Sequence, residues 1–234
     1  AGDGDAYAEG LDHLIFAAKR NVDITTIIHD NRVYGLTTGQ YTPTSPSGFV
    51  GRSTPAGLEV PPINPLEIVF ASGGTFIARG YSHGIELLKE VFREAILHRG
   101  FSFVDVLQVC ATFFNLYDYY NERVYSLEEH DPSDRARAEE KIREWDYNSD
   151  GSIPLGIFYR EEDSTFGENF AKYSSKISDL DGAIKRPWRA TFEAGGSRDR
   201  ASYLLRSKRI YRFGDRIQCC IIGHVLLGID PEPP

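Results

Sequence analysis

Apolar residues fall at helical spacing between Ala6 and Asn21. Leu11, Leu14, Ile15 and Ala18 share one face while Asp12, Lys19 and Arg20 take the other, which predicts an amphipathic helix. The period then changes. Ile24 to His29 is an unbroken, largely β-branched run, as expected of a buried strand in a parallel sheet covered on both faces. From Thr37 to Pro65 the chain is rich in Gly, Pro, Ser and Thr. It is too long and irregular there for an ordinary connection, so this segment is expected to be functional or disordered. A short apolar segment runs from Pro65 to Ala71. A strand is predicted from Thr75 to Gly80, a helix from Glu86 to Arg99, and a second buried strand from Phe101 to Gln108 with Cys110 just past its end. A βαβ order followed by further α and β signals an open α/β fold, its mostly parallel sheet carrying helices on both faces. Ligands of such sheets sit beyond the carboxyl ends of the strands, and Gly2 to Asp5, Asp30 to Gly39, and Cys110 all map to that edge.

Composition narrows the class of function. The 234 residues, 41% hydrophobic and 26% charged, can bury a sizeable core, and favour one large domain or a domain with an appendage. A net charge of -8 argues against nucleic acid, whose binders cluster Lys and Arg against phosphate. There is no run of 18 apolar residues and no signal-peptide pattern, which argues against membrane insertion and secretion. Cys110, Cys219 and Cys220 make no disulfide framework, in keeping with a reducing cytoplasm. The first residue is Ala and there is no methionine, so the chain reads as a fragment beginning inside a domain.

The acidic turn Gly2-Asp3-Gly4 is followed, after 26 residues spanning one predicted helix and one predicted strand, by Asn31 and the glycine-bearing stretch YGLTTGQ. Mg²⁺ takes near-octahedral oxygen coordination, using few protein ligands and leaving positions to phosphate and water. Asp3 can supply a carboxylate, Asn31 an amide oxygen and Val33 a peptide carbonyl. Gly2 and Gly4 would let the backbone approach a diphosphate, at which the helix beginning near Ala6 would aim its N–H groups.

This spacing resembles the thiamine-diphosphate signature. The finer wording, namely GDGD, RNVDITTIIHDNRVYGLTTGQYTPTSP, PPINPLEIV, TFIARGYS, GFSFVDVLQVCATFFN and RVYSLEEHDPSDR, is similar to the β subunit of 2-oxoacid:ferredoxin oxidoreductases, from Gly2 to about Glu168. The resemblance implies a thiamine-diphosphate-binding fold and CoA-dependent oxidative decarboxylation of a 2-oxoacid, giving acyl-CoA, CO2 and reduced ferredoxin. On wording, the substrate would be 2-oxoglutarate or a broad range of 2-oxoacids. It implies Mg²⁺ on Asp3, Asn31 and Val33, and cofactor contacts from Gly2, Gly4, Asp5, Gly35, Leu36 and Thr37. Cys110 would be the fourth ligand of a [4Fe-4S] cluster whose other three cysteines lie upstream of the Gly-Asp-Gly turn. The activating glutamate would come from a partner α subunit, and the complex can also include γ or δ subunits. Two alternatives stay open: a different thiamine enzyme of decarboxylase or acetolactate synthase type, and a non-catalytic α/β module.

Other candidates are weaker. Asp146 to Ile153 matches half of a calcium loop, but Ile157 stands where a bidentate Glu is needed and Pro154 interrupts the path, so a turn is expected. His13 reads as a helix residue and His29 as the polar end of a strand within reach of the cofactor edge. Asp131 to Glu144 reads as a solvated helix, Phe113 to Tyr120 as core packing, and Tyr34 and Tyr41 as residues bracketing the glycine-rich loop. The family domain is expected over residues 1–186. Residues 187–234 carry no resemblance, and an out-of-frame reading of a neighbouring γ-subunit gene is one account of them; Cys219, Cys220 and His224 would then have no site role.

Overall fold

The computed structural model describes residues 1–180. The boundary expected after residue 186, and Cys219, Cys220 and His224, lie outside the described residues. Residues 1–171 form one compact unit.

A π-helical turn, Asp5–Glu9, leads into helix α1, Leu11–Lys19. Strand β1, Ile24–Asp30, is followed by the two-residue strands β2, Val33–Tyr34, and β3, Gln40–Tyr41. Next come helix α2, Pro65–Ala71, strand β4, Phe76–Tyr81, helix α3, Ile85–Leu97, and strand β5, Phe101–Leu107. The described chain ends with α4, Tyr117–Arg123, β6, Val124–Ser126, α5, Arg135–Arg143, β7, Ile153–Arg160, and α6, Phe166–Leu180.

The main sheet has the order β1-β5-β4-β7-β6. β5 pairs parallel with β1 and β4, β7 runs antiparallel to β4, and β6 is parallel to β7. The expected α/β architecture is therefore present, with one reversal. Its two faces are covered as the unbroken apolar strands require. On one face Leu14 and Ala18 of α1, Leu66, Val69 and Phe70 of α2, and Ala138 and Ile142 of α5 pack on Ile28, Phe103 and Phe158. On the other, Leu88, Val91, Phe92 and Ala95 of α3 pack on Phe76, Ala78, Val104 and Val106.

Three local expectations need correction. The helix read from Ala6 to Asn21 is broken at Gly10, whose N–H donates to the Asp5 carbonyl at 2.7 Å. The wider turn shifts the register before α1 begins, a change that apolar spacing does not record. The run from Ile24 is exposed at its start and buried only towards Asp30. It has β5 on one side, and on the other only the main chain of Ala1 and Gly2, which reaches Ile27 and His29 among the described residues. Finally, of the two expectations for the glycine- and proline-rich segment after Thr37, functional or disordered, disorder is set aside: the segment is held by hydrogen bonds within itself and to Arg32. The Thr42 N–H donates to Ser45 Oγ at 2.8 Å, Ser45 Oγ donates to the Arg32 carbonyl at 2.6 Å, and Phe49 and Leu58 are buried with Val33.

The apolar segment at Pro65 becomes a helix because Asn64 caps it: Oδ1 accepts the Glu67 N–H at 3.3 Å, Pro65 takes the first turn, and Nδ2 donates to the Ile142 carbonyl at 2.9 Å. Asn64→Ala therefore loses both a cap and a tie to α5. It is expected to destabilise the protein by about 1–2 kcal/mol in urea denaturation.

Candidate functional site

The carboxyl ends of β1 and β5 lie side by side, with the Gln108 N–H donating to the Asp30 carbonyl at 2.8 Å. The N-terminal turn joins this edge through the pairing of Gly2 with His29. That pairing carries Asp3 into the protein, where it is 3% exposed. The Asn31 loop closes from the other side. Asn31 Oδ1 accepts the Val33 N–H at 3.1 Å, which fixes the amide, and the Tyr34 hydroxyl donates to the Gly4 carbonyl at 3.1 Å. The two predicted metal-site segments are thus tied to one another by a strand pairing and a side-chain bond.

Gly4 is needed here for a reason the sequence did not suggest. Its backbone is ordinary right-handed helical, but a Cβ there would stand 2.1 Å from Tyr34 Cε1. Gly4→Ala is expected to expel the ring, break the Tyr34–Gly4 bond and cost about 1–3 kcal/mol in thermal or urea denaturation. Tyr34→Phe, which keeps the ring, should lose only about 1 kcal/mol.

Beneath the edge lies a buried polar cluster. Asp105, in the middle of β5 and fully buried, accepts hydroxyl hydrogens from Tyr7 on Oδ1 and Tyr147 on Oδ2, both at 2.6 Å. Arg79 stands opposite it on β4, with Nε 3.8 Å from Oδ2, near enough for an ion pair and too far for a hydrogen bond. The Arg79 and Arg32 guanidinium groups lie over the rings of Trp145 and Tyr147, and Arg32 also donates to the Thr44 and Tyr147 carbonyls. Asp30, also fully buried, accepts the Arg32 N–H at 3.0 Å and the Thr44 hydroxyl at 2.8 Å, and its Oδ2 has no partner among the described residues.

The electrostatics follow from this burial. Loss of hydration pushes the Asp3 carboxyl up to about 6, while the Thr42 and Thr44 hydroxyls pull it down. Burial, then the neighbouring charges of Asp105 and Asp3, drives Asp30 well above the carboxylate range. Burial also raises Asp105, against the opposing charge of Arg79. The three buried carboxyls of Asp3, Asp30 and Asp105 outnumber the two buried guanidinium groups of Arg32 and Arg79, a setting in which a divalent cation would offset much of the desolvation cost.

The remaining predicted residues divide by position. Val33 is buried, and Gly2, Asn31 and Gly35 are half-buried at the edge, whereas Asp5, Leu36 and Thr37 are exposed, Leu36 at 93%. Cys110 is half-buried and packs against the Val33, Phe49 and Leu58 cluster, on the same side as the Asn31 loop. His29 Nδ1 lies 3.1 Å from Gln108 Oε1, and burial lowers its pKa; His13 is exposed on α1. Tyr120 is buried while Phe113 and Tyr117 are exposed, so the aromatic stretch is core in part only. The Asp146 segment forms the expected turn, with Oδ1 accepting the N–H groups of Asn148 and Ser149 at 2.9 and 2.7 Å. This turn places Tyr147 at φ 66° and directs it into the polar cluster. Among the described residues no three His, Cys, Asp or Glu side chains gather into a metal cage. A site of one carboxylate, one amide and one carbonyl, completed by phosphate, does not require such a cage.

Residues 1–106 match the family of the thiamine pyrophosphate enzyme, C-terminal TPP binding domain, and residues 110–175 match the C-terminal family of the pyruvate ferredoxin oxidoreductase β subunit. The second match follows the first along one chain. The chain belongs to the β-subunit family of 2-oxoacid:ferredoxin oxidoreductases. It is 39% identical over 194 residues to the 2-oxoacid:ferredoxin oxidoreductase subunit beta of Saccharolobus solfataricus, covering 76% of this chain and 62% of that one. It is 45% identical over 112 residues to the 2-oxoglutarate oxidoreductase subunit KorB of Mycobacterium tuberculosis, covering 48% of this chain and 30% of that one. Among solved structures, a 2-oxoglutarate:ferredoxin oxidoreductase from Magnetococcus marinus with 2-oxoglutarate, coenzyme A and succinyl-CoA bound is similar at a TM-score of 0.71 and 31% identity, over 84% of this chain and 66% of that one. The chain thus spans less than two thirds of the length of these β-subunit relatives. No helix among the described residues is long and apolar enough to cross a membrane.

Proposed function

We propose that this chain is the thiamine-diphosphate-binding subunit of a CoA-dependent 2-oxoacid:ferredoxin oxidoreductase, acting with an α subunit and ferredoxin on 2-oxoglutarate or a range of 2-oxoacids. The observation that carries the reading is the joining of the Gly2–Asp5 turn to the Asn31–Gly35 loop around a buried, cation-poor carboxyl. Both segments fall within the part of the chain that matches the thiamine pyrophosphate domain family.

The donor set fits Mg²⁺: Asp3 gives one charged oxygen, and Asn31 and the Val33 carbonyl give two neutral ones, all hard ligands. Gly2, Gly4, Asp5, Gly35, Leu36 and Thr37 would meet the diphosphate, several of them exposed and open to it. When bound, the cofactor supplies the nucleophile and the electron sink for decarboxylating a 2-oxoacid. This chain's part is to bind and orient. Asp3 and Asn31 hold the cation that neutralises the diphosphate, and the buried floor beneath keeps water from Asp3. Cys110 would ligate a cluster only in company, since four thiolates are needed and the described residues contain one cysteine.

Calorimetry on the assembled complex tests the reading. Thiamine diphosphate is expected to bind with Mg²⁺ and not with EDTA. Tight binding in EDTA, or none in either condition, would falsify it. Turnover of 2-oxoglutarate against pyruvate, with CoA and a ferredoxin dye, then assigns the substrate.

A further inference from the structure

The Thr42–Ser45 turn enters the site from the long loop and was given no site role from the sequence. Thr44 is fully buried, and its hydroxyl stands between two carboxyls, 3.3 Å from Asp3 Oδ2 and 2.8 Å from Asp30 Oδ1. A third oxygen, Thr42 Oγ1, lies 3.3 Å away. The hydroxyl has one hydrogen to give. Asp30 Oδ1 already accepts the Arg32 N–H at 3.0 Å, so Asp30 has a donor without Thr44. Asp30 is the nearer acceptor at 2.8 Å, and at Asp3 the Thr42 and Thr44 hydroxyls act together, both favouring the charged carboxylate, with Thr44 placed at Oδ2.

The turn itself is rigidly held. Ser45 Oγ donates to the Arg32 carbonyl, Ser45 N–H to the Thr42 carbonyl at 3.0 Å, and Arg32 Nε to the Thr44 carbonyl at 2.7 Å. Thr44 therefore cannot follow Asp3 if the carboxyl rotates, and Asp3 must instead adopt the orientation Thr44 sets. A donor fixed in this way occupies one carboxylate oxygen and leaves the other for a cation, which is how outer groups orient metal-ligating carboxylates.

From this geometry we propose that Thr44 is a positioning residue for the metal-ligating carboxylate of Asp3, setting how much Mg²⁺ the site needs before it accepts a diphosphate. The inference rests on the assignment of Mg²⁺ to Asp3 made above. It is distinct from that assignment because Thr44 is not one of the proposed ligands.

The test is a Mg²⁺ titration of thiamine diphosphate binding by calorimetry on the assembled complex, with the thermal midpoint of the cofactor-free protein measured alongside. Thr44→Val, nearly equal in shape, is expected to raise the half-saturating Mg²⁺ about 10–100-fold. At saturating Mg²⁺ its affinity for the cofactor should return towards that of the wild type. Thr44→Ser, which keeps the hydroxyl, should restore the wild-type Mg²⁺ requirement. A valine variant with an unchanged Mg²⁺ curve overturns the inference, and so does a serine variant that shares the valine defect. If Thr44→Val does not fold, Thr44→Ala, which leaves room for a water, is judged by the same outcomes. Failure of the wild-type complex to require Mg²⁺ sinks the underlying assignment instead, whatever the variants do.

Discussion

Asp3→Asn is expected to abolish Mg²⁺-dependent uptake of thiamine diphosphate while leaving the folded protein intact. The substitution keeps the shape of the side chain and its capacity to accept from Thr44, but removes the one formal negative charge in the proposed ligand set. Losing a ligand outright should exceed the 10–100-fold penalty typical of outer-shell changes. A loss of at least about 100-fold in apparent Mg²⁺ affinity is anticipated, read by calorimetry. A titration superimposable on the wild type would remove Asp3 from the site. The same carboxyl gives a pH signature. Its folded value, near 6, lies above its ordinary 3.8, so without metal this group favours the folded state below the ordinary range and the advantage is lost as pH rises through about 6. Protons and Mg²⁺ compete for it, so the Mg²⁺ requirement should climb as pH falls below about 6. Added Mg²⁺ should raise the thermal midpoint more at pH 7.5 than at pH 5.

The second large effect concerns stability. Asp105→Leu removes the acceptor of two tyrosine hydroxyls and the counter-charge of the Arg79 guanidinium, all buried, and leaves Arg79 with only the Pro154 carbonyl and the Tyr147 hydroxyl to donate to. An uncompensated buried charge costs about 3–5 kcal/mol, which for a domain of this size lowers the melting temperature by about 10 °C. Adding Arg79→Met should recover part of the loss, because the double change removes both charges from a core that can then close over apolar side chains. Urea denaturation of the two single variants and the double variant measures this. A double variant whose loss equals the sum of the singles would show that the pair is not coupled.

The fold was legible because its strands are extreme. Every residue of β4 and β5 is buried, and such runs announce a sheet covered on both faces. The meeting of the Gly2–Asp5 turn with the Asn31 loop was legible because their spacing brings the end of β1 and the N-terminal turn to one edge. What could not be read was the company these segments keep. Thr42, Thr44 and Ser45 lie in a stretch whose composition matches any surface loop, and its bonds to Asp3, Asp30 and Arg32 distinguish it. Tyr147 sits in a polar turn that by pattern points outwards, yet its positive φ turns it in. One signal was present and unused. Arg79 and Asp105 are each the one charged residue in an otherwise uncharged, buried strand, and such charges call for each other; the sheet register sets them opposite.

The antiparallel strand β7 and the turn before it lend the protein a property that its family boundaries conceal. The first matched segment stops at residue 106 and the second starts at 110, as though the chain could be cut there into interchangeable modules. Yet Tyr147 closes the bonding of Asp105, Asn148 accepts the Ser47 N–H, and β7 completes the flank of β4. A protein engineer exchanging the downstream half between relatives would also be exchanging the floor under the upstream half, so chimaeras joined at Gln108 should inherit their tolerance from whichever parent supplies a Tyr at that turn.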